Sequence, residues 1–153
     1  MGGWDYNTTK AALKELVEDC KGIEEFLAEA NIHEGYTNDY LYVDATIVAP
    51  GTVEHGAIKW LFYMQELPGC CGVVVSCRQY IREALRGQGL GKRLQILKEA
   101  ITRKLKYGLM ICTVTADNVA QIKVLTATGW HQIDSFVNPK TQHKVLLFSK
   151  HTD

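Results

Sequence analysis

Glycine alternates with other residues in one short segment of the chain. This segment has the sequence Arg86-Gly87-Gln88-Gly89-Leu90-Gly91-Lys92-Arg93. Glycine has no Cβ atom and accepts a positive φ, so several backbone N–H groups of such a segment can converge on one anion. A helix that begins there adds N–H groups without intrahelical acceptors and the positive end of its dipole. Because arginine and lysine flank the glycines, the segment predicts a cradle for a diphosphate.

Two common phosphate-binding motifs do not fit this segment. A P-loop requires GxxxxGK followed by Ser or Thr, whereas Lys92 is followed by Arg93 and the glycine spacing differs. The dinucleotide motif GxGxxG, counted from Gly87 and Gly89, would need a third glycine at the position of Lys92. An ordinary glycine-rich turn is the alternative for any single glycine, but three alternating glycines that open a helix favour a binding site.

The segments on either side of the turn have different periodicities. Val73–Ile81 contains three consecutive valines, which predicts a central strand buried on both faces. After the turn, helical spacing up to Gly108 marks an apolar stripe of Leu90, Leu94, Leu97, Ile101 and Leu105, with Lys92, Lys98, Arg103 and Lys104 on the other faces. Leu109–Thr115 predicts a second strand, which a βαβ unit would place parallel to the first.

Shorter patterns complete the predicted architecture. Alternating residues in 41–47 and 58–64 predict two strands, the second of which forms a hairpin with Val73–Ile81. A helix is expected over 118–128, and 130–137 with 142–149 predict a closing antiparallel hairpin. Two helices are expected within 8–27 and a loop over 31–38. Without an internal repeat or a linker, 1–153 is interpreted as a single domain.

Composition limits the class of protein. Hydrophobic residues make up 46% and charged residues 22% of the 153 residues, which is typical of a globular domain and excludes collagen-like or wholly disordered chains. No apolar stretch is long enough to predict a membrane span. The five cysteines, an odd number, show no metal-ligand spacing, so we expect a reducing, cytoplasmic location and no metal site.

Charge is distributed unevenly although the net charge is zero. Residues 1–66 contain 12 of the 17 acidic and four of the 17 basic side chains, a formal charge of −8, and 67–153 carry +8. Such asymmetry suggests two ligands of opposite charge. The alternative is a pair of solvated surfaces that help the two halves of the fold to fit together.

The glycine-rich segment resembles the motif Q/R-x-x-G-x-G/A of the GNAT superfamily of acyl-CoA-dependent N-acetyltransferases. The residues that match run from Arg86 to Gly91, and Asn118 followed by Gly129-Trp130 resembles the family's Asn and Gly-Phe segment. The resemblance extends from about residue 70 to residue 137. It implies an α/β (α+β) fold in which helices flank a central mixed β-sheet with a βαβ core that binds acyl-CoA.

The resemblance also implies which residues bind acetyl-CoA as the co-substrate. In the family, the backbone amides of the turn hold the pyrophosphate, the end of the preceding strand holds pantetheine, and the Asn approaches the cofactor. Carried over to this chain, the cofactor-binding residues are Gln79, Tyr80, Ile81, Arg86, Gly87, Gln88, Gly89, Leu90, Gly91, Lys92, Arg93 and Asn118.

Catalytic residues are less clearly specified. Attack of a neutral amine on a thioester needs one proton removed from the incoming ammonium and one delivered to the leaving thiolate. Many family members use a Tyr seven residues after the Asn as the acid, but Leu125 occupies that position here, and the central strand lacks the carboxylate that often acts as base. Cys77 and Glu83 are candidates. The alternatives are a buried structural thiol and a solvated carboxylate, respectively.

The function expected from these observations is N-acetyl transfer from acetyl-CoA to a primary amine. The acidic half favours a cationic acceptor such as a protein Lys or N-terminus, a polyamine or another small amine. One alternative is a catalytically degenerate acyl-CoA-binding domain with a regulatory or virion-associated role. A nucleic-acid-binding module is a weaker alternative because one phosphate-rich cofactor explains the basic residues near the turn. No membrane partner is expected, and a homodimer is one candidate assembly.

Overall fold

The fold is seen in a computed structural model that describes residues 31–33, 40–46 and 58–152. The helices expected within 8–27 and the strand position at residue 47 lie outside the described residues. In the part of the chain that is described, no helix is both long enough and apolar enough to cross a membrane.

A seven-stranded mixed sheet organises the described chain, as the mixed-sheet prediction required. Its spatial order is β1-β2-β3-β4-β5-β7-β6, and β4 and β5 are parallel while every other neighbouring pair is antiparallel. The strands are β1 (Asn31–His33), β2 (Tyr40–Thr46), β3 (Ile58–Glu66), β4 (Val73–Ile81), β5 (Leu109–Thr115), β6 (His131–Val137) and β7 (Lys144–His151).

The prediction of a loop over 31–38 was wrong for its first three residues. Asn31–His33 forms β1, which pairs antiparallel with β2 from Asn31 opposite Asp44 to His33 opposite Tyr42. A strand at the edge of a sheet pairs through its backbone N–H and C=O groups. A strand of three residues can therefore form without the alternation of apolar residues that a sequence pattern would reveal.

Two α-helices follow the parallel strands. Helix α1 (Leu90–Lys104) comes directly after the glycine-rich turn, and α2 (Val119–Ala127) begins at Asn118, whose Oδ1 accepts a hydrogen bond from the Gln121 N–H at 3.2 Å. Helix α1 ends before the predicted Gly108 because Lys106 has a φ of 64°, which closes the helix.

Both helices contribute to one core on the same face of the sheet. Alternation along β3 places Trp60, Phe62 and Met64 in this core, and α1 adds Leu94, Leu97 and Ile101. Among the described residues, the buried members of this cluster are Leu41, Val43, Ala45, Trp60, Phe62, Met64, Val74, Leu94, Leu97, Ala100, Ile101, Tyr107, Met110, Cys112, Leu125, Trp130, Leu146 and Phe148.

A buried polar cluster joins the C-terminal elements to α1. The Glu99 carboxylate accepts a hydrogen bond from Trp130 Nε1 at 3.1 Å and forms an ion pair with Lys150 at 2.9 Å. Lys150 also donates to the carbonyl of Thr128. Because the cluster ties the end of α2 and strand β7 to α1, it fixes the helix that follows the glycine-rich turn.

Strand β4 is central, as predicted, but it is not buried on both faces. Only Val74 is fully buried, and Cys77, Arg78 and Tyr80 are exposed. The valine run correctly marks the paired start of the strand. The exposure of the second half has a structural cause, which is the loss of its neighbour β5.

Candidate functional site

Strands β4 and β5 separate after a short paired segment. They pair only from Val73 opposite Leu109 to Val75 opposite Ile111, although β4 continues to Ile81 and β5 to Thr115. At the point of separation, Tyr63 of β3 pairs with Arg78 and Met64 with Ser76, which leaves Cys77 as an extra residue in β4. Such a bulge bends a strand and locally increases its twist. The bulge therefore coincides with the opening of a gap in the middle of the sheet.

A cleft of about 770 Å³ occupies this gap. It is bounded by the free edge of β4, the facing half of β5, the glycine-rich turn, the start of α1 and the start of α2. Its lining residues are Ser76, Cys77, Arg78, Gln79, Tyr80, Ile81, Arg86, Gly87, Gly89, Leu90, Gly91, Lys92, Gln95, Lys98, Cys112, Thr113, Val114, Asn118, Ala120, Gln121 and Val124.

Ten of the twelve residues expected to bind the cofactor line this one cleft, and Gln88 and Arg93 do not. Gln88 is exposed within the turn, and Arg93 lies one residue beyond the lining positions of the first turn of α1.

The glycines of the turn have two different structural roles. Gly87 and Gly89 have φ values of 80° and 79°, and a Cβ at either position would meet no atom within 4 Å. Open space therefore lies beside the backbone at both positions. Gly91 is helical, and a Cβ there would lie 3.6 Å from Val124 Cγ2 and 3.7 Å from Gln79 Nε2. Gly91 thus permits close packing, whereas Gly87 and Gly89 shape the turn.

The turn presents both backbone donors and positive side chains to the cleft. Gly89 is the N-cap of α1 and has no side chain with which to cap it, so the first N–H groups of the helix have no such acceptor. Arg86 Nε donates to the carbonyl of Ile81 at 2.9 Å, which ties the turn to the end of β4. Lys92 is exposed at the rim. The arrangement favours a negatively charged group at this end of the cleft.

Polar side chains without partners line the interior of the cleft. Neither Gln79 Oε1 nor Gln95 Oε1 has a hydrogen-bond donor in the described structure, and both atoms are buried. Gln95 as a whole is 1% exposed. A buried carbonyl oxygen without a donor is unfavourable, so each is suited to accept a hydrogen bond from a ligand in the cleft.

Lys98 also lines the cleft, and its position corrects the sequence prediction. It was assigned to a polar face of the helix, yet it is 1% exposed. Its Nζ donates to Ser76 Oγ at 3.1 Å and lies 5.5 Å from the centre of the Phe62 ring. Burial lowers the pKa of Lys98 from 10.5 to about 8, against the smaller opposing effects of Cys112, Cys77 and Glu99.

The interpretation of Cys77 as a buried structural thiol was wrong, because the residue is exposed at the bulge. Its Sγ lies 3.5 Å from the carbonyl oxygen of Val75. Partial desolvation nonetheless raises the pKa of the Cys77 thiol, an effect that Lys98 offsets only in part. Burial likewise raises the pKa of Cys112 to about 11. Neither thiol is therefore poised as a thiolate at neutral pH.

The other expected catalytic positions lie outside the cleft. Leu125 is fully buried in the core, so the helix position of the family's tyrosine does not face the cleft here. Glu83, in a 3-10 helix (Glu83–Leu85), is exposed and lines a second cavity of about 720 Å³. This cavity is bounded by Ile58, Leu61, Arg78, Tyr80, Arg82, Glu83 and Ala84.

The sequence patterns missed several residues of the cleft, above all Gln95 and Lys98. A signal for Lys98 was present, because it lies between Leu97 and Ile101 within the apolar stripe of α1. Its burial also removes it from the basic surface that a nucleic-acid-binding module would need. Within the described residues, no group of three or more His, Cys, Asp or Glu side chains could hold a metal ion.

No protein-family model matches the sequence, and no curated protein matches it. Solved structures do match the fold. A GNAT-family protein from Desulfovibrio desulfuricans is 11% identical with a TM-score of 0.64, over 100% of this chain and 98% of that one. The ribosomal-protein-S18-alanine N-acetyltransferase from Escherichia coli is 12% identical with a TM-score of 0.60, over 99% and 92%.

A third structure, yncA from Salmonella typhimurium with its cofactor acetyl-CoA, is 16% identical with a TM-score of 0.58. The match covers 74% of this chain and 65% of that one, so this chain corresponds to slightly less than two thirds of its length. Sequence identities this low support a shared fold. Taken with the separated parallel strands and the glycine-rich turn, the matches show that this chain has the fold of the GNAT acetyltransferases.

Proposed function

We propose that the chain, as a single domain over 1–153, is an N-acyltransferase that moves an acetyl or other acyl group from acyl-CoA to a primary amine. The observation that carries the proposal is the cleft between β4 and β5, which has the glycine-rich turn at one end. Acetyl-CoA is the expected co-substrate. The diphosphate of acetyl-CoA matches the anion-binding turn, and its extended pantetheine arm matches the free edge of β4.

The turn fits the diphosphate. The open space beside Gly87 and Gly89 leaves room for phosphate oxygens next to the backbone, and the first N–H groups of α1 supply donors. Arg86 and Lys92 add positive charge on the lining of the same end. Arg93 and Gln88 would contribute less directly, since neither lines the cleft.

The interior of the cleft fits the pantetheine arm. Backbone groups from Ser76 to Ile81 face the gap without β5 as a partner, so they can bind an extended chain as a neighbouring strand would. The arm carries two amide N–H groups, and the cleft offers Gln79 Oε1 and Gln95 Oε1 as buried acceptors without donors. Asn118 uses its Oδ1 to cap α2, which leaves its amide nitrogen available to donate.

The thioester supplies an electrophilic carbonyl carbon to the reaction. A backbone N–H on the free edge of β4 would donate to the carbonyl oxygen and stabilise the negative charge that develops on it, an effect worth about 3 kcal/mol for a well-placed donor. The cleft would also hold the thioester in a fixed orientation toward the amine. Glu83 could take part only if the acceptor occupies the second cavity, on the other side of Arg78 and Tyr80.

We propose a cationic acceptor on the basis of charge. The half of the chain from 1 to 66 carries a formal charge of −8, which attracts amines of net positive charge. Polyamines, lysine side chains and protein N-termini belong to this class.

Amine-dependent release of the coenzyme A thiol tests the proposal. We expect release from acetyl-CoA with spermidine and with a lysine-containing peptide, and a lower kcat/KM with glycine, which carries no net charge. Equal kcat/KM values for all three amines would contradict the cationic acceptor but not acyl transfer. Binding of acetyl-CoA without thiol release for any amine would support the second candidate, a binding-only domain, which the buried Leu125 at the acid position favours.

A further inference from the structure

We propose that Lys98 donates the proton that the coenzyme A thiolate takes up as it leaves. The inference rests on the proposed acyl transfer and assigns the acid that the sequence does not provide. Three observations support it: the place of Lys98 in the cleft, the groups around its amine, and the lack of a phenol at the position of Leu125.

Lys98 lies at the closed end of the cleft. Its Nζ contacts Ser76 Oγ at 3.1 Å, and Ser76 is the first residue of β4 after the last pair with β5. The free edge from Ser76 to Ile81 is about 17 Å long at the usual rise of a strand. An arm that starts from a diphosphate at the turn and extends along this edge brings its sulfur to the end where Lys98 lies.

The surroundings of the amine suit proton donation. It faces Cys77 of β4, Cys112 of β5 and the Phe62 ring of β3, and its neighbour on α1 is Glu99. Glu99 is already engaged with Lys150 and Trp130, so it does not hold the ammonium in a close ion pair. None of these contacts occupies all three donors of the ammonium, which leaves a proton for a sulfur in the cleft.

The pKa of Lys98 suits a group that donates a proton to a thiolate. Its pKa of about 8 lies close to that of a thiol, about 8.5, so proton transfer between the two is nearly balanced in free energy. At neutral pH most Lys98 side chains still carry the proton. Cys77 is a poorer donor because its raised pKa favours retention of the proton.

The amine nitrogen attacks the thioester carbon and a C–N bond forms. The tetrahedral intermediate then collapses, the C–S bond breaks and its electron pair stays on sulfur. The Lys98 ammonium gives one proton to that sulfur, and the neutral Lys98 amine recovers a proton from the acylated nitrogen, which became positively charged on attack, directly or through water. The products are the amide and the free thiol.

The test compares wild type with Lys98→Met over pH 6.5 to 10, with one amine acceptor that supports thiol release. The ratio of their kcat values cancels the titration of the acceptor. We expect a ratio of about 10² at pH 7 that falls about tenfold per pH unit above pH 8 as Lys98 loses its proton. A ratio near one, or a large ratio that does not change with pH, would overturn the proposal.

Two further variants separate this role from a structural one. Lys98→Arg keeps a positive charge but cannot donate a proton at these pH values, so it should remain slow; recovery of wild-type kcat by Arg would contradict proton donation. Lys140 is exposed and does not line the cleft, so Lys140→Met should behave as wild type. Acetyl-CoA binding is measured for each protein. Absence of binding by wild type would refute the proposed function itself, whereas binding and turnover equal to wild type in Lys98→Met would refute only the role of Lys98.

Discussion

The burial of Lys98 predicts an unusual dependence of stability on pH. In the unfolded chain its pKa is near 10.5, and in the folded protein burial lowers it to about 8. Below pH 8 both states hold the proton, and the buried charge opposes folding. Between pH 8 and 10.5 the unfolded state binds more protons than the folded state, so the free energy of unfolding rises with pH. Above pH 10.5 neither state is charged and the rise stops.

The expected magnitude follows from the two pKa values. The interval from about 8 to 10.5 corresponds to about 3 kcal/mol, or about 1.4 kcal/mol for each pH unit. Cysteine and tyrosine titrate in the same range, so the quantity to follow is the difference between wild type and Lys98→Met. Most contributions from Cys112 and Tyr107 cancel in this difference, since both side chains remain in both proteins.

Urea denaturation from pH 7 to 10.5 measures this difference. We expect the free energy of unfolding of wild type, minus that of Lys98→Met, to increase by about 3 kcal/mol across the range. The same subtraction with Lys140→Met should give a constant value, because that lysine is exposed. A difference for Lys98→Met that stays constant, or that falls as pH rises, would refute the burial of an ionisable amine at this position.

Two other substitutions test the packing around the site. Leu125→Tyr places a phenol at the family's acid position, but Leu125 is fully buried. We therefore expect the free energy of unfolding to fall by about 1 to 3 kcal/mol from overpacking, with no gain in kcat. A stable variant with a higher kcat would contradict the placement of Leu125 in the core. Glu99→Ala leaves Lys150 and Trp130 without their shared acceptor and should lower the free energy of unfolding by about 1 to 3 kcal/mol in urea, whereas an unchanged midpoint would contradict this half-buried ion pair and its hydrogen bond to Trp130.

Much of the fold could be predicted because it depends on local periodicity. The alternation in β3 and the apolar start of β4 predicted the central hairpin, and β5 was predicted over the residues that form it, Leu109–Thr115. The glycine-rich turn was predictable as well. Its alternating glycines reflect backbone conformations that other residues rarely adopt, as the positive φ at Gly87 and Gly89 shows.

The bulge in β4 and the burial of Lys98 could not be predicted from sequence periodicity, because both depend on tertiary contacts. The bulge at Cys77 changes the register between β3 and β4, but small polar residues there give no periodicity from which a shift could be inferred. Lys98 was assigned to a polar face because charged residues are rarely buried. Its side chain is buried, and its amine contacts the Ser76 hydroxyl and the Phe62 ring, two groups on strands that are distant from α1 in the sequence.

A calorimetric titration with acetyl-CoA tests the central claim, that the cleft between β4 and β5 binds an acyl-CoA through the glycine-rich turn. The matched variants are Gly89→Leu and Gly72→Leu, since both glycines have a positive φ near 80° and open space around a Cβ, but Gly72 lies outside the cleft. We expect one molecule of acetyl-CoA bound per chain by wild type and by Gly72→Leu, and at least about tenfold weaker binding by Gly89→Leu, a loss of about 1.4 kcal/mol or more. No binding by wild type, or equal affinity in Gly89→Leu, would contradict it.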